Sequence, residues 1–290
     1  MTATATCTTT GTTLVIGATG TTGGRTTAQL VAAGHRVNAA SRRATPVPGA
    51  VPVRFDWYDP STFGDALAGA DRLYLVPPVG EPEPATVMLP FLRQAGTAGV
   101  HRAVLLSSSA IAEGGPAVGE VHRALPDLFD QWAVLRPSWF MQNFTGTHTH
   151  ARSIRDDGVI LTAAGTGRVG FVDADDIAAV AVRALTDDRA PDTDLVLTGP
   201  EALSHDDIAT IVTEVTGRPV AHRPLTYEQL RDRLVAQMPP AFAAMLAGMD
   251  RAIADGAEDR TTDTVQRLTG RSPNSFRTVA EQELLRMPRL

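Results

Sequence analysis

The feature that most constrains this chain is a glycine spacing near its amino terminus. Gly17-Ala-Thr-Gly20-Thr-Thr-Gly23 follows residues 12–16, a short β-branched run that reads as a buried strand. Residues 22–33 then carry a helical pattern that Gly34 stops. A G-x-x-G-x-x-G turn between strand and helix is a dinucleotide cradle. Its first glycine permits the tight turn, its second lets backbone approach a pyrophosphate, and its third lets helix and strand pack closely. The phosphates then rest on the helix N-terminus, whose free N–H groups and dipole favour an anion. An ordinary glycine-rich turn is the competing reading, and the flanking strand and helix disfavour it. The residues expected to touch the cofactor here are Gly17, Thr19, Gly20, Thr21, Thr22 and Gly23.

Strand and helix signals keep alternating through roughly the first two hundred residues, the mark of βαβ units and a parallel sheet. Strands are expected over 35–40, 51–55, 71–76, 102–106, 132–135 and 195–197, with helices over 87–98, around 118–125, and over 173–185. Beyond Gly199-Pro200 the pattern turns helical, and Ser204-His-Asp-Asp207 and Thr226-Tyr-Glu-Gln229 read as capping boxes. The expected fold class is α/β, a Rossmann-type doubly wound parallel sheet with a smaller, mostly helical carboxyl-terminal substrate part. Residues 1–11 read as a disordered leader and 12–150 as the dinucleotide-binding core, completed by about 171–198. Residues 151–170 and 199–290 make up the substrate-binding part.

Which dinucleotide is set at the end of the second strand. A site for NAD places a carboxylate there to bind the ribose 2′-hydroxyl. This chain has Ser41-Arg42-Arg43 instead, and no Asp or Glu occurs before Asp56. Arginine's planar fork suits a 2′-phosphate, so NADP(H) is the expected cofactor. A solvated basic turn is the alternative. Asp56 can accept a bond from the adenine amino group, or equally cap its own turn. The five arginines ahead of Asp56 give this segment a positive field, while the chain as a whole carries −6. An acidic bulk argues against wrapping nucleic acid, whose affinity comes largely from phosphate neutralisation.

All 26 basic residues are arginine. With no lysine there is no Schiff base, no phosphate-loop lysine and no Tyr-x-x-x-Lys proton donor of the conventional short-chain dehydrogenases. The single cysteine, Cys7, excludes an internal disulfide and a cysteine-rich metal site. His148-x-His150 lacks a third ligand nearby, so no metal is expected. No apolar run approaches a membrane span. A cytoplasmic protein, monomer or homodimer, bound to a small molecule and to neither nucleic acid nor membrane, is the expectation.

The residues also resemble a known family. VIGATGTTG (15–23), ASRR at the end of the second strand, DRLYLVPP (71–78), SSS (107–109), VLRPSWFMQNF (134–144), GRVGFVDADDIA (167–178) and LTGPEALSHDDIA (197–209) together resemble the NmrA-like atypical short-chain dehydrogenase/reductases. EGGPAVGEVHRAL (113–125) followed by the LRP-x-x-F-M-x-N segment is similar to reductases that make the last reduction in ergot alkaloid pathways. The resemblance implies a Rossmann core binding NADP(H), a smaller substrate part, and quinone or iminium reduction. The same family includes redox-sensing regulators without catalysis.

Ligands of open α/β sheets bind at the carboxyl ends of the strands. That rule nominates Val76, Pro77 and Pro78, Ser107, and Pro137 toward the cofactor, and Trp139, Phe140 and Asn143 toward the substrate. Core packing is an equal reading for Phe140. Met245, in a Met-rich helix, is a further substrate-pocket candidate. Ser108, Ser109 and His122 are the catalytic candidates, with His122 acting as general acid or orienting a serine. A merely surface histidine is the bland reading. The missing Tyr-Lys pair points to substrates that accept hydride without a strong donor, such as iminium ions, quinones or enones. An NADPH-dependent reductase of secondary-metabolite type is therefore expected, with a non-catalytic NADP(H) sensor and a cofactor-binding non-redox cyclase as alternatives.

Overall fold

A computed structural model describes residues 11–286. The expected leader, with Cys7, lies outside the described residues apart from Gly11. The elements run β1 (Thr12–Ile16), α1 (Thr21–Ala32), β2 (Arg36–Ser41), β3 (Val51–Arg54), a 3-10 turn (Pro60–Thr62) into α2 (Phe63–Leu67), β4 (Ala70–Leu75) and α3 (Pro84–Thr97). They continue with β5 (Arg102–Leu106), α4 (Gly119–Leu128), β6 (Gln131–Pro137), α5 (Gln142–Thr145), α6 (Thr149–Asp157), β7 (Val159–Thr162) and β8 (Arg168–Val169). The remainder is α7 (Ala174–Thr186), β9 (Thr193–Leu197), β10 (Leu203–Ser204), α8 (His205–Thr216), β11 (Ala221–Pro224), α9 (Tyr227–Val235), α10 (Pro240–Ala254), α11 (Thr264–Thr269) and α12 (Phe276–Leu284).

Seven strands form one sheet in the order β3-β2-β1-β4-β5-β6-β9. β2 and β4 both pair parallel with β1, so the strand order reverses at β1. That reversal is the topological switch point, where ligands of such sheets bind. β1 reads TTLVI and is buried over its last four residues, the pattern of a strand covered on both faces. Gly34 follows α1 at φ +82, a left-handed stop that a side chain would strain.

The residues cluster into two compact units. The first holds the chain up to Leu106 with Glu113–Val134 and Ala181–Thr193. Its core includes an aromatic group, in which the Phe55 ring meets Trp57 at 4.8 Å and Phe91 at 5.0 Å, both edge-on. Such pairs add about 0.5–1.5 kcal/mol each beyond burial. Trp57 Nε1 donates to Val76 O at 3.1 Å, tying the segment after β3 to the end of β4.

The second unit holds Ser107–Ala112, Leu135–Val180 and the chain from Asp194. It carries two small ladders, β8–β10 antiparallel and β7–β11 parallel. Phe144, Ile160, Phe171, Ile208, Val212 and Phe276 are buried in its core. Both expected capping boxes form: Ser204 Oγ accepts from Asp207 N at 3.1 Å, and Thr226 Oγ1 from Gln229 N at 3.2 Å. Buried carboxylates organise the start of α7. Asp173 accepts from Gln142 Nε2 at 2.8 Å and from Asn274 Nδ2 at 2.7 Å, while Asp176 accepts from Asn274 N at 2.7 Å and pairs with Arg271. Among the described residues, no helix is long and apolar enough to cross a membrane.

Candidate active site

The glycine turn has the shape of a cradle. Gly17 has φ +75, a backbone conformation that a side chain would strain. Gly20 N donates back to Gly17 O at 2.9 Å and closes the turn. A Cβ on Gly23 would stand 2.2 Å from Gly17 O, so only glycine lets α1 start this close to β1. No side chain caps α1 and no acid lies in its first turn, which leaves its leading N–H groups for an anion. Ala18 N donates to Ala40 O at 3.2 Å, fixing the turn against the end of β2. Val76, just past β4, has its Cβ 3.1 Å from where a Gly17 side chain would stand, so the ends of β1 and β4 meet at the cradle. Thr19 and Thr21 are exposed and Thr22 is buried.

At the end of β2 the chain turns sharply. Ser41 O accepts from Ala44 N and Phe55 N at 3.2 and 3.0 Å, and Ser41 Oγ accepts from Thr45 N at 2.9 Å. This pins the backbone while leaving Arg42 and Arg43 exposed, and neither pairs with an acid among the described residues. Two unneutralised guanidiniums on a fixed turn suit a phosphate. Asp56 Oδ1 accepts from Tyr58 N at 3.0 Å, so one of its oxygens does cap its own turn. Tyr74 is fully buried, and that burial pushes its phenol up to about 12, which makes it a weaker acid than an ordinary tyrosine.

The remaining candidates at strand ends lie mostly in the second unit. Ser107 N donates to Leu135 O at 2.7 Å, and Ser109 N to Pro137 O at 2.9 Å, so the serines extend β5 alongside β6. The Ser107 hydroxyl is buried with no hydrogen-bond partner. Arg136, paired with Asp194, donates to Ser109 O at 2.9 Å. Ser109 Oγ lies 2.9 Å from both carboxylate oxygens of Glu258, a residue only 6% exposed. Glu258 carries no sequence signal. It is one acid in the loop Gly256-Ala-Glu-Asp-Arg260, and only the fold brings it to Ser109.

Trp139 is half-buried against the second unit's core, and Phe140 bridges to Val172. Asn143 N donates to Phe140 O at 3.1 Å, leaving its amide side chain out of this turn's backbone bonding. Met245 is 46% exposed on α10. His122 belongs to the first unit and is buried, not on the helix surface, with its ring 6.0 Å from that of Trp132. His148 caps α6 by accepting from His150 N at 3.2 Å. Among the described residues, no cluster of three or more His, Cys, Asp or Glu is arranged to hold a metal.

Within the first unit, the cradle and the unpaired arginines fit a phosphorylated dinucleotide, in which Gly17–Gly23 would hold the pyrophosphate and Arg42 with Arg43 the 2′-phosphate. Comparison with known proteins gives the family. A family model described as NAD(P)H-binding matches residues 17–188, and one described as the NmrA-like family matches 122–281. An uncharacterised oxidoreductase of Bacillus subtilis is 45% identical over 264 residues, 91% of this chain and 92% of its own. The agroclavine dehydrogenase of Claviceps fusiformis is 40% identical over 77% of this chain and 80% of its own. The crystal structure of an NADPH-dependent quinone oxidoreductase of Escherichia coli, complexed with NADPH, is 21% identical and superposes with a TM-score of 0.78, covering 93% of this chain and 99% of its own. This chain belongs to the NmrA-like family of NAD(P)H-binding oxidoreductases.

Proposed function

We propose that the chain is an NADPH-dependent reductase that transfers hydride to a small apolar substrate of secondary-metabolite type: an iminium ion, a quinone or an enone. The observation that carries this reading is the Arg42-Arg43 turn, exposed and with no acid paired to it among the described residues, beside a glycine cradle. Bound NADPH supplies the hydride, and the protein supplies position and a dry site. Gly17–Gly23 hold the pyrophosphate, and Arg42 and Arg43 select the 2′-phosphate. Asp56, through its second oxygen, is offered to the adenine. Val76, Pro77, Pro78, Ser107 and Pro137 shape the nicotinamide end, and Trp139, Phe140, Asn143 and Met245 receive the substrate.

A lysine-free chain has no Tyr-Lys pair, which favours substrates that take hydride without that donor. The relative named as an agroclavine dehydrogenase and the fold neighbour named as a quinone oxidoreductase support that range of acceptors. Action in the cytoplasm as a monomer or homodimer, without nucleic acid, belongs to the same proposal. The test is NADPH consumption against a panel of iminium ions, quinones and enones, with fluorescence titration of NADPH and NADH. Turnover with NADPH, and tighter binding of NADPH than NADH, support the reading. Tight binding with no turnover on any acceptor overturns it in favour of a cofactor-sensing regulator. Product without NADPH consumption points instead to a non-redox cyclase.

A further inference from the structure

We propose that the second unit carries a binding site for an apolar amino acid, in a cavity between α6 and α9. The site does not depend on the reductase reading. The cavity measures about 260 Å³, and all its lining residues belong to the second unit. α6 contributes Arg152, Asp156 and Asp157, α9 contributes Leu230, Arg233 and Leu234, and β7 adds Leu161. Trp139, Phe140, Asn143 and Met245, assigned above to the substrate, do not line it.

Helical spacing makes both walls. On α6, Thr149, Ser153 and Asp156 stand four and three apart, and on α9 and just past it Leu230, Leu234 and Gln237 do the same, so each set shares one face. Both helices are held in place. His148 caps α6 by accepting from His150 N at 3.2 Å, Gly158 stops it at φ +66, and Arg155 donates to Gly146 O at 2.8 Å. The His150 ring, also in the lining, stacks on the buried Phe144 ring at 5.4 Å and 10°. The Thr226–Gln229 capping box starts α9, and Leu230 packs with Ala163 and Ala247. Walls fixed before a ligand arrives lose little freedom when it binds.

The charges of the lining select the ligand. Arg152, Asp156, Asp157 and Arg233 balance in sign, and none of the four forms an ion pair or a side-chain hydrogen bond among the described residues. Arg152 and Asp156 even stand at i and i+4, the spacing at which opposite charges on a helix meet, yet they do not pair. The His150 ring, lowered to about 3 by burial, stays neutral and adds no charge. A ligand that is only an anion meets two acids as well as two guanidiniums, and one that is only a cation meets the reverse. A zwitterion uses all four charges. Its carboxylate suits the forks of Arg152 and Arg233, and its ammonium suits Asp156 and Asp157. The Cα atoms of Arg152 and Asp156 are separated by about 6 Å along the helix axis, and an α-amino acid carries both its charges on one carbon, within reach of both side chains. Burial gives the orientation. The four charged residues are exposed, whereas Leu161 and Leu234 are half-buried and Leu230 is buried. The charged end of the ligand therefore stays at the mouth, and its apolar side chain points inward onto the leucines.

Calorimetric titration of the full chain tests the site with L-phenylalanine and L-leucine. Each is set beside analogues that lack one charge: 3-phenylpropanoate and 2-phenylethylamine for the first, 4-methylpentanoate and 3-methylbutylamine for the second. Saturable binding of at least one amino acid, about 10-fold or more tighter than both of its analogues, is the expected result. Arg233→Ala, and Asp156→Asn combined with Asp157→Asn, should each weaken it by about 10-fold. In the wild type, the methyl resonances of Leu161, Leu230 and Leu234 should shift on binding. The substituted positions are exposed, and melting with NADPH titration confirms that the variants fold. Failure of both amino acids to bind overturns the proposal. An analogue that binds as tightly as its parent also overturns it, because the site then reads one sign of charge. Wild-type affinity in both variants places the ligand elsewhere and overturns it as well. Loss of the amino-acid site leaves the reductase reading standing, and a chain that reduces no acceptor leaves the amino-acid site standing.

Discussion

Gly23→Ala puts a single methyl group where the cradle has no space. The added Cβ would stand 2.2 Å from Gly17 O, 2.7 Å from Gly17 C and 3.2 Å from Ala18 N. Ordinary contact begins near 3.4 Å, so the turn and α1 must separate by about 1 Å. Every obstructing atom is backbone, so no side chain can rotate aside. Overpacking of this kind costs about 1–3 kcal/mol, while alanine's better helix propensity returns up to about 1 kcal/mol. The net loss of stability is then at most about 3 kcal/mol. NADPH binding falls as well, because the displaced atoms are the ones that would line the pyrophosphate. Losing the alignment of two N–H donors weakens binding by about 2–3 kcal/mol, or roughly 30- to 150-fold. Gly24→Ala is the control, since its Cβ lies 3.3 Å from Ala18 O and needs only a small adjustment. The assay is NADPH fluorescence titration beside thermal melting for both variants. Wild-type affinity in Gly23→Ala would refute the reasoning, and so would equal losses in Gly23→Ala and Gly24→Ala.

Replacing both Arg42 and Arg43 by alanine is expected to weaken NADPH by about 10- to 100-fold while leaving NADH binding nearly unchanged, as dual titration would show. Burial among Phe144, Phe171 and His222 lowers His205 from 6.5 to about 4. The unfolded chain therefore takes up its proton first, and this contribution to stability is full above about pH 6.5 and drains away toward pH 4. His205→Asn should flatten that part of the urea stability–pH curve, and an unaltered slope would contradict the assignment. Burial also raises Asp250 to about 6, with Ala163 N donating to it at 2.8 Å. An acid with a raised folded pKa costs stability above that value, so Asp250→Asn should gain up to about 3 kcal/mol at pH 8 and nothing at pH 4. Asn274→Ala removes one donor to the buried Asp173 and is expected to cost about 1–3 kcal/mol in denaturant unfolding.

Sequence alone determined the elements whose physics is local. The β-branched run ending at Ile16, the glycine spacing after it and the stop at Gly34 each act within a few residues, and all three stand where the spacing put them. The parallel sheet follows from alternating strand and helix signals, whereas the reversal of strand order at β1 belongs to the tertiary structure. The capping boxes at Ser204 and Thr226 were equally legible, since donor and acceptor are three positions apart. The short ladders of β7, β8, β10 and β11 were not, because two to four residues carry no readable period. Burial was also out of reach. His122 reads as a helix-surface residue until the structure covers it. The pairing of Ser109 with Glu258, the partner-free hydroxyl of Ser107 and the acidity of Asp250 depend on which distant segments exclude water from one another. The sequence shows what each residue can do chemically, and only the packing of the chain decides the solvent and the partner it does it with.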